Sequence, residues 1–241
     1  MMGHSHAVSG ALLWVAIAPT SAAVLGREFT VAEAAAGSLV CAGSALLPDI
    51  DHPSASVART FGPLTQGIAK VVSLLAGGHR QGTHTLLFCI GAGAATWAAT
   101  TWASMTVVNV IMWFLIGLGM KGLRIGAKGG LMAMIVNGSV AAGIVYAINT
   151  WMQPNYTWLW AAVFIGCVAH LIGDSLTPEG VPWLSPITRR RFALPVIPHT
   201  DHFLETRILT PLMAIGVFAL AWINYGENYA SQLWEKVPFI G

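Results

Sequence analysis

VAEAAAGSLVCAGSALL, residues 31–47, runs without a break into PDIDHP, residues 48–53. The first part is an apolar run of membrane-span length whose one charge, Glu33, stands near its start, and whose many Ala and Gly suggest close helix contact rather than lipid exposure. The second part gathers the carboxylates of Asp49 and Asp51 and the imidazole of His52 into four residues, bracketed by the helix breakers Pro48 and Pro53. Charged groups at a membrane boundary sit in water, pair with one another, or bind a cation that offsets their desolvation. The stretch therefore reads either as a solvated turn of ordinary loop residues or as half of a metal site at the end of a transmembrane helix.

Composition agrees with the membrane setting. Of 241 residues, 55% are hydrophobic and only 9% charged, and the mean hydropathy is +0.66, whereas soluble domains carry about 25% charged residues. Ten Trp against four Tyr suit interfacial anchoring by indole. The net charge of +2 gives no footing for nucleic-acid binding. Cys41, Cys89 and Cys167 lie in apolar runs without C-x-x-C spacing and read as small core residues, not as thiolate ligands or disulfide partners.

Working outward, apolar runs at 7–25, 31–47, 84–102, 105–119, 131–151, 156–174 and 208–225 predict seven transmembrane helices in a single membrane-embedded domain covering 1–241. The run 7–25 is read as a span and not a cleaved signal, because no Lys or Arg precedes it. Residues 64–76 are too few to cross and predict a short interfacial or re-entrant helix. Thr83 is the expected N-cap of the third span. Asn137 and Asn149 are expected to hydrogen-bond within the bundle, and the tail to Gly241 reads as short and amphipathic.

Seven spans would leave ten of the twelve Lys and Arg on the side of the N-terminus, with Arg27 and Lys236 opposite. By the positive-inside rule, that side is cytoplasmic. The same topology brings His6, the Asp49–His52 cluster, His79, His84, His170 and Asp174 to the cytoplasmic face, although none of them entered the count. Arg189-Arg190-Arg191 and the basic loop at Lys121 read as orientation signals or contacts to anionic lipid.

His170 and Asp174, four residues apart, share a helix face about 40° wide and can reach one ion, or simply each other. His79 and His84 lie about 140° apart on a helix, so they can share an ion only if His79 is in a loop, which Gly77, Gly78 and Gly82 permit. Gly10, one turn after His6, would let another helix pack close. Imidazole and carboxylate donors without thiolate suggest zinc first, then manganese or iron. Seven ligands are more than one tetrahedral ion uses, so some are outer partners or there are two ions. Arg80 could clamp an anionic oxygen or act as a membrane anchor.

Taken together, Leu46-Leu47-Pro48-Asp49-Ile50-Asp51-His52-Pro53, His79-Arg80-x-x-Thr83-His84-Thr85-Leu86-Leu87, His170-x-x-x-Asp174-x-Leu176-Thr177-Pro178-x-Gly180-Val181 and Arg191-Phe192-x-Leu194-Pro195 resemble the YdjM/YbcI-like family of bacterial inner-membrane proteins, described as predicted metal-dependent hydrolases. The resemblance covers nearly the whole chain. His6 matches the family's N-terminal histidine and Glu205 a glutamate after the last motif. It implies an all-α polytopic bundle in the inner membrane with a metal site of Asp49, Asp51, His52, His79, His84, His170 and Asp174. The chain departs from the pattern at Gln81-Gly82 and in a longer segment between His84 and His170, which one inserted helical hairpin would explain. His199 and His202 fall outside the motifs and read as loop residues.

The resulting expectation is a membrane hydrolase with a cytoplasmic zinc-type site that lowers the pKa of a bound water to about 7. Asp49 or Asp51, whichever is not a ligand, would take the proton and Arg80 would face the phosphoester of a lipid or lipid-linked substrate. Two other classes compete. A metal-ion transporter would hold its ligands near the bilayer midplane. A regulatory protein with a structural metal would ligate the ion fully.

Overall fold

The computed structural model describes residues 1–55, 57–128, 130–151 and 156–236; of the expected tail, 237–241 lie outside these. The chain is helical, and among the described residues the β pairing is a single antiparallel bridge, Val181 with Phe192. Helix α1 spans Gly3–Ile17, passes through a 3-10 turn at Pro19 and continues as α2, Ser21–Leu25. Helix α3, Val31–Ser44, starts on a capping box in which Thr30 accepts from Glu33 N and Glu33 reaches back to Thr30 N. Arg27 grips both oxygens of Glu33 at 2.9 and 2.8 Å, which explains how a carboxylate is tolerated there.

The remaining helices are α4, Pro63–Ala76; α5, Leu86–Trp102; α6, Met105–Gly122; α7, Gly130–Trp151; α8, Leu159–Ser175; and α9, Thr210–Lys236, which a π-helical turn at Leu204–Leu209 precedes. The stretches Val31–Asp51, Met105–Gly122, Gly130–Thr150, Tyr156–Ser175 and Leu204–Gly226 are long and apolar enough to cross a membrane. Helices α1 and α5 are apolar but shorter: the 17 residues of α5 extend about 25 Å against a hydrocarbon core of about 30 Å. Five candidate spans therefore stand where the apolar runs predict seven. Helix α4 is short, as expected, and leaves Ile68, Val71, Leu74 and Leu75 exposed along it.

Helix α3 is the hub, packed against α1, α6 and α8. Its small residues let neighbouring backbones come within reach, as the sequence suggests. A Cβ on Gly43 would strike Leu115 O of α6, and one on Gly119 would strike Leu39 O. A Cβ on Gly10 of α1 would stand 2.7 Å from Cys41 O. The three cysteines are buried and free. Trp14, Met112, Ile116, Trp158 and Leu159 fill the main core. Asn149 donates to Asn109 Oδ1 at 3.0 Å and accepts from the Tyr156 hydroxyl at 2.9 Å, as expected, whereas Asn137 braces the backbone of Ala127 in the basic loop.

One expected cap is elsewhere. Thr85, not Thr83, caps α5 by accepting from Phe88 N at 3.1 Å. A 3-10 turn at Gly82–His84 holds Thr83 and His84 ahead of the helix, and frees the Thr83 hydroxyl for another partner. The start of α1, the ends of α3, α6 and α8 and the start of the π turn meet at one end of the bundle. Contacts such as Met2 N to Glu205 and Thr210 Oγ1 to Ser5 Oγ hold them there.

Candidate metal centre

Helix α8 presents His170 and Asp174 one turn apart, and the start of α1 brings His6 against them. The His6 and His170 rings stack with centroids 3.8 Å apart. His170 Nδ1 lies 2.7 Å from the carbonyl oxygen of Ala45. A carbonyl only accepts, so the proton is on Nδ1 and the lone pair is on Nε2. Gly166, one turn before His170, permits the approach, since a Cβ there would meet Ser44 Cβ at 2.6 Å.

Facing this helix, the 3-10 turn Pro48–Asp51 and the segment from His79 to His84 supply the other half. Asp51 is buried and works through hydrogen bonds: Oδ1 lies 2.9 Å from His79 Nδ1, and Oδ2 accepts from the Thr83 hydroxyl at 2.6 Å. Thr83 Oγ1 is in turn 3.1 Å from His84 Nδ1. An ionised carboxylate only accepts, so Nδ1 of His79 donates to it directly and Nδ1 of His84 donates through Thr83, leaving both Nε2 lone pairs available. Carboxylates behind metal-ligating histidines orient them in this way.

The freed atoms converge. His84 Nε2 lies 3.2 Å from His170 Nε2. Asp49 Oδ1 is 3.6 Å from each of these nitrogens, and Asp174 Oδ2 is 3.7 Å from the first and 3.6 Å from the second. Ligands bonded tetrahedrally at 2.0–2.1 Å stand about 3.3–3.4 Å apart, so each of these five separations is close to what one ion requires. A second grouping uses six residues. His6, His170 and Asp174 bring one ligand atom each to within 4.8 Å of one another, as do Asp49, His79 and His84. We favour the two triads, because the single-ion arrangement leaves out His6, both of whose ring nitrogens are buried without a hydrogen bond, although Nε2 stands 3.2 Å from Asp174 Oδ1. The nitrogen and oxygen donor set fits a divalent ion of the zinc, manganese or iron type.

The triads differ in access. His6, His170 and Asp174 are buried, while Asp49 is 20% and His79 37% exposed. Asp174 also meets the Met1 ammonium at 2.6 Å and Arg80 Nε at 3.3 Å, which compensate its charge. Arg80 adopts a left-handed backbone, φ 57°, and its Nη1 donates to Glu179 Oε2 at 2.6 Å.

Two expected ligands stand outside both triads. Asp51 is committed to His79 and Thr83, and His52 turns Nδ1 to Ser54, which donates from its backbone at 3.2 Å. His199 and His202 are loop residues, as expected. Glu205 is more deeply involved than its sequence suggests: fully buried, it accepts from Met2 N at 2.5 Å and Asp201 N at 3.0 Å and ties α1 to the π turn. A carboxylate at the edge of an apolar run was the available signal.

Burial pushes the His84 imidazolium toward deprotonation, but hydrogen bonds and charge from Asp49 and Asp51 prevail and raise its pKa from 6.5 to about 9. In the metal-free protein this ion pairing stabilises the fold fully below pH 6.5 and is lost as pH rises through about 9. Ligation requires the neutral ring, so uptake of a metal at pH 7 would release a proton. Apparent metal affinity should rise about tenfold per pH unit from 7 toward 9, measured by titration calorimetry in buffers of differing ionisation enthalpy. An affinity independent of pH would remove His84 from the ligands.

A family model described as YdjM inner membrane protein matches residues 1–123 and 130–234. No curated protein and no solved structure matches the chain.

Proposed function

The chain belongs to the YdjM inner membrane protein family, and we propose that it acts there as a metal-dependent hydrolase with zinc-type ions at the cytoplasmic mouth of the bundle. The observation that carries this reading is the pair of three-residue groups, His6, His170, Asp174 and Asp49, His79, His84. Three protein ligands leave a coordination position for water or substrate, as catalytic zinc sites do.

When bound, such ions supply a water acidified to a pKa of about 7 and polarise the scissile bond. The residues do the rest. Asp51 and Thr83 keep the histidine protons on Nδ1. Asp49, the more accessible carboxylate, turns Oδ1 to the imidazoles and accepts the proton of the attacking water on its other oxygen. Arg80 holds Asp174 through Nε. Its Nη1 meets Glu179, whose side chain is 72% exposed, so a phosphoester oxygen can take the place of Glu179 on Nη1. A lipid or lipid-linked phosphoester suits this chemistry and the membrane setting.

Counting α1 with its continuation α2, and α5, as spans gives seven, a cytoplasmic N-terminus and an external C-terminus. The ten-to-two division of Lys and Arg supports that orientation. Reporter fusions should put the C-terminus and the loop at Arg190 on opposite sides. A shared side means a miscounted span.

The alternative is a regulatory protein with one structural ion, favoured by the short distances from the His84 and His170 Nε2 atoms to each other and to Asp49 and Asp174. Screening phosphoester, ester and amide substrates with and without chelator separates the two readings. Chelator-sensitive turnover is expected on a phosphoester; tightly held metal without turnover on any substrate would favour the structural role.

A further inference from the structure

We propose that a basic cavity between the end of α6 and the start of α7, with the apolar groove that continues from it, binds an anionic phospholipid of the surrounding bilayer. The cavity, about 700 Å³, is lined by Arg59, Lys121, Arg124 and Lys128, and no carboxylate is among its described lining residues. These cations come from the turn before α4, the last turn of α6 and the loop beyond it. Clefts lined by one sign of charge concentrate the opposite ion.

The loop is held in shape. Asn137 of α7 accepts from Ala127 N at 2.9 Å and donates to Ala127 O at 3.0 Å. Arg124 and Gly126 adopt positive φ, 59° and 105°, and a Cβ on Gly126 would collide with the Asn137 side chain. Arg124 is steadied by His4, Nη2 to Nδ1 at 3.1 Å.

A groove of about 410 Å³ shares Phe61, Met134 and Gly138 with the cavity and continues along α6 and α7 past Trp113, Ile135 and Ala142. Helix α7 contains the candidate span Gly130–Thr150, so the groove runs at the depth of lipid chains. A soluble phosphate would need only the basic end. The apolar extension is what selects a molecule with a phosphate at one end and an acyl chain at the other. None of these residues belongs to either metal triad, so the inference stands apart from the hydrolase reading.

The test is native mass spectrometry of the full chain in neutral detergent, offered phosphatidylglycerol and phosphatidylcholine in equal amount. Wild-type protein should retain phosphatidylglycerol in preference by about tenfold or more. The double variant Arg59→Gln/Lys128→Gln should bind it roughly twenty-five-fold more weakly, at about fivefold per cation. A control removing the same charge outside the cavity, Lys70→Gln/Arg207→Gln, should stay within about twofold, because neither side chain lines the cavity. Ala142→Trp, on an exposed position of the groove, should weaken retention without any change of charge, and zinc content should be unchanged in all three. Equal retention of the two lipids, or equal loss in the two double variants, overturns the inference. So does displacement by millimolar inorganic phosphate together with a silent Ala142→Trp, which would assign the cavity to a soluble anion.

Discussion

Replacing His170 by alanine is expected to lower bound metal from two ions per chain to at most one and to abolish chelator-sensitive hydrolysis. Its Nε2 stands 3.2 Å from His84 Nε2 and 3.6 Å from Asp174 Oδ2, so one side chain borders both triads. Loss of an outer-shell partner already costs 10–100-fold in metal affinity, and loss of one ligand in three should exceed about hundredfold. Asp49→Asn should act likewise from the second triad. The bundle should survive, because its helices are held by backbone hydrogen bonds and mutual packing. Metal analysis alongside circular dichroism checks both halves of the expectation. A variant with wild-type metal content and only a modest loss of stability would reduce His170 to a structural hydrogen-bonding residue.

Gly43→Leu should do the reverse and break the bundle before it reaches the ions. Gly43 and Gly119 bring α3 and α6 together with backbone where side chains usually stand, and the atom a Cβ would strike is a helix carbonyl that cannot rotate away. Overpacking commonly costs about 1–3 kcal/mol; here the hub helix itself must be displaced, and the loss should lie at or above the upper end. Gly143→Leu is the matched control, since a Cβ at Gly143 meets nothing within 4 Å. Thermal unfolding in detergent should show a large drop for the first variant and little change for the second. Equal behaviour would mean that α3 and α6 are not packed this closely.

Much of the architecture could be read from composition and hydropathy, because apolar runs without charges have few ways to satisfy their backbone. The small residues of 31–47 also announced close packing, and Gly10 and Gly43 make it. The span count was less legible: α1 bends into a 3-10 turn at Pro19 and α5 stops at 17 residues, and helix length depends on caps and turns that hydropathy does not register. At the site, the i, i+4 spacing of His170 and Asp174 pointed to one shared face. The division of labour among the remaining residues did not show, because it depends on which imidazole nitrogen each neighbour engages. Asp51 and Asp49 are two residues apart and look equivalent in sequence, yet the 3-10 turn aims one at His79 and Thr83 and the other at the convergent Nε2 atoms. Thr83 looked like a helix cap for the same reason: its role follows from where the turn at Gly82–His84 ends.

The central claim, that two three-residue groups hold ions for hydrolysis, is tested most directly by the zinc content of the full chain, purified in detergent, loaded with zinc and freed of excess. The account predicts two ions per chain, falling to one or none in His170→Ala and Asp49→Asn. A single ion per chain that survives His6→Ala and His79→Ala would instead identify one closed tetrahedral site, and absence of zinc, manganese and iron from the folded protein would contradict the account altogether.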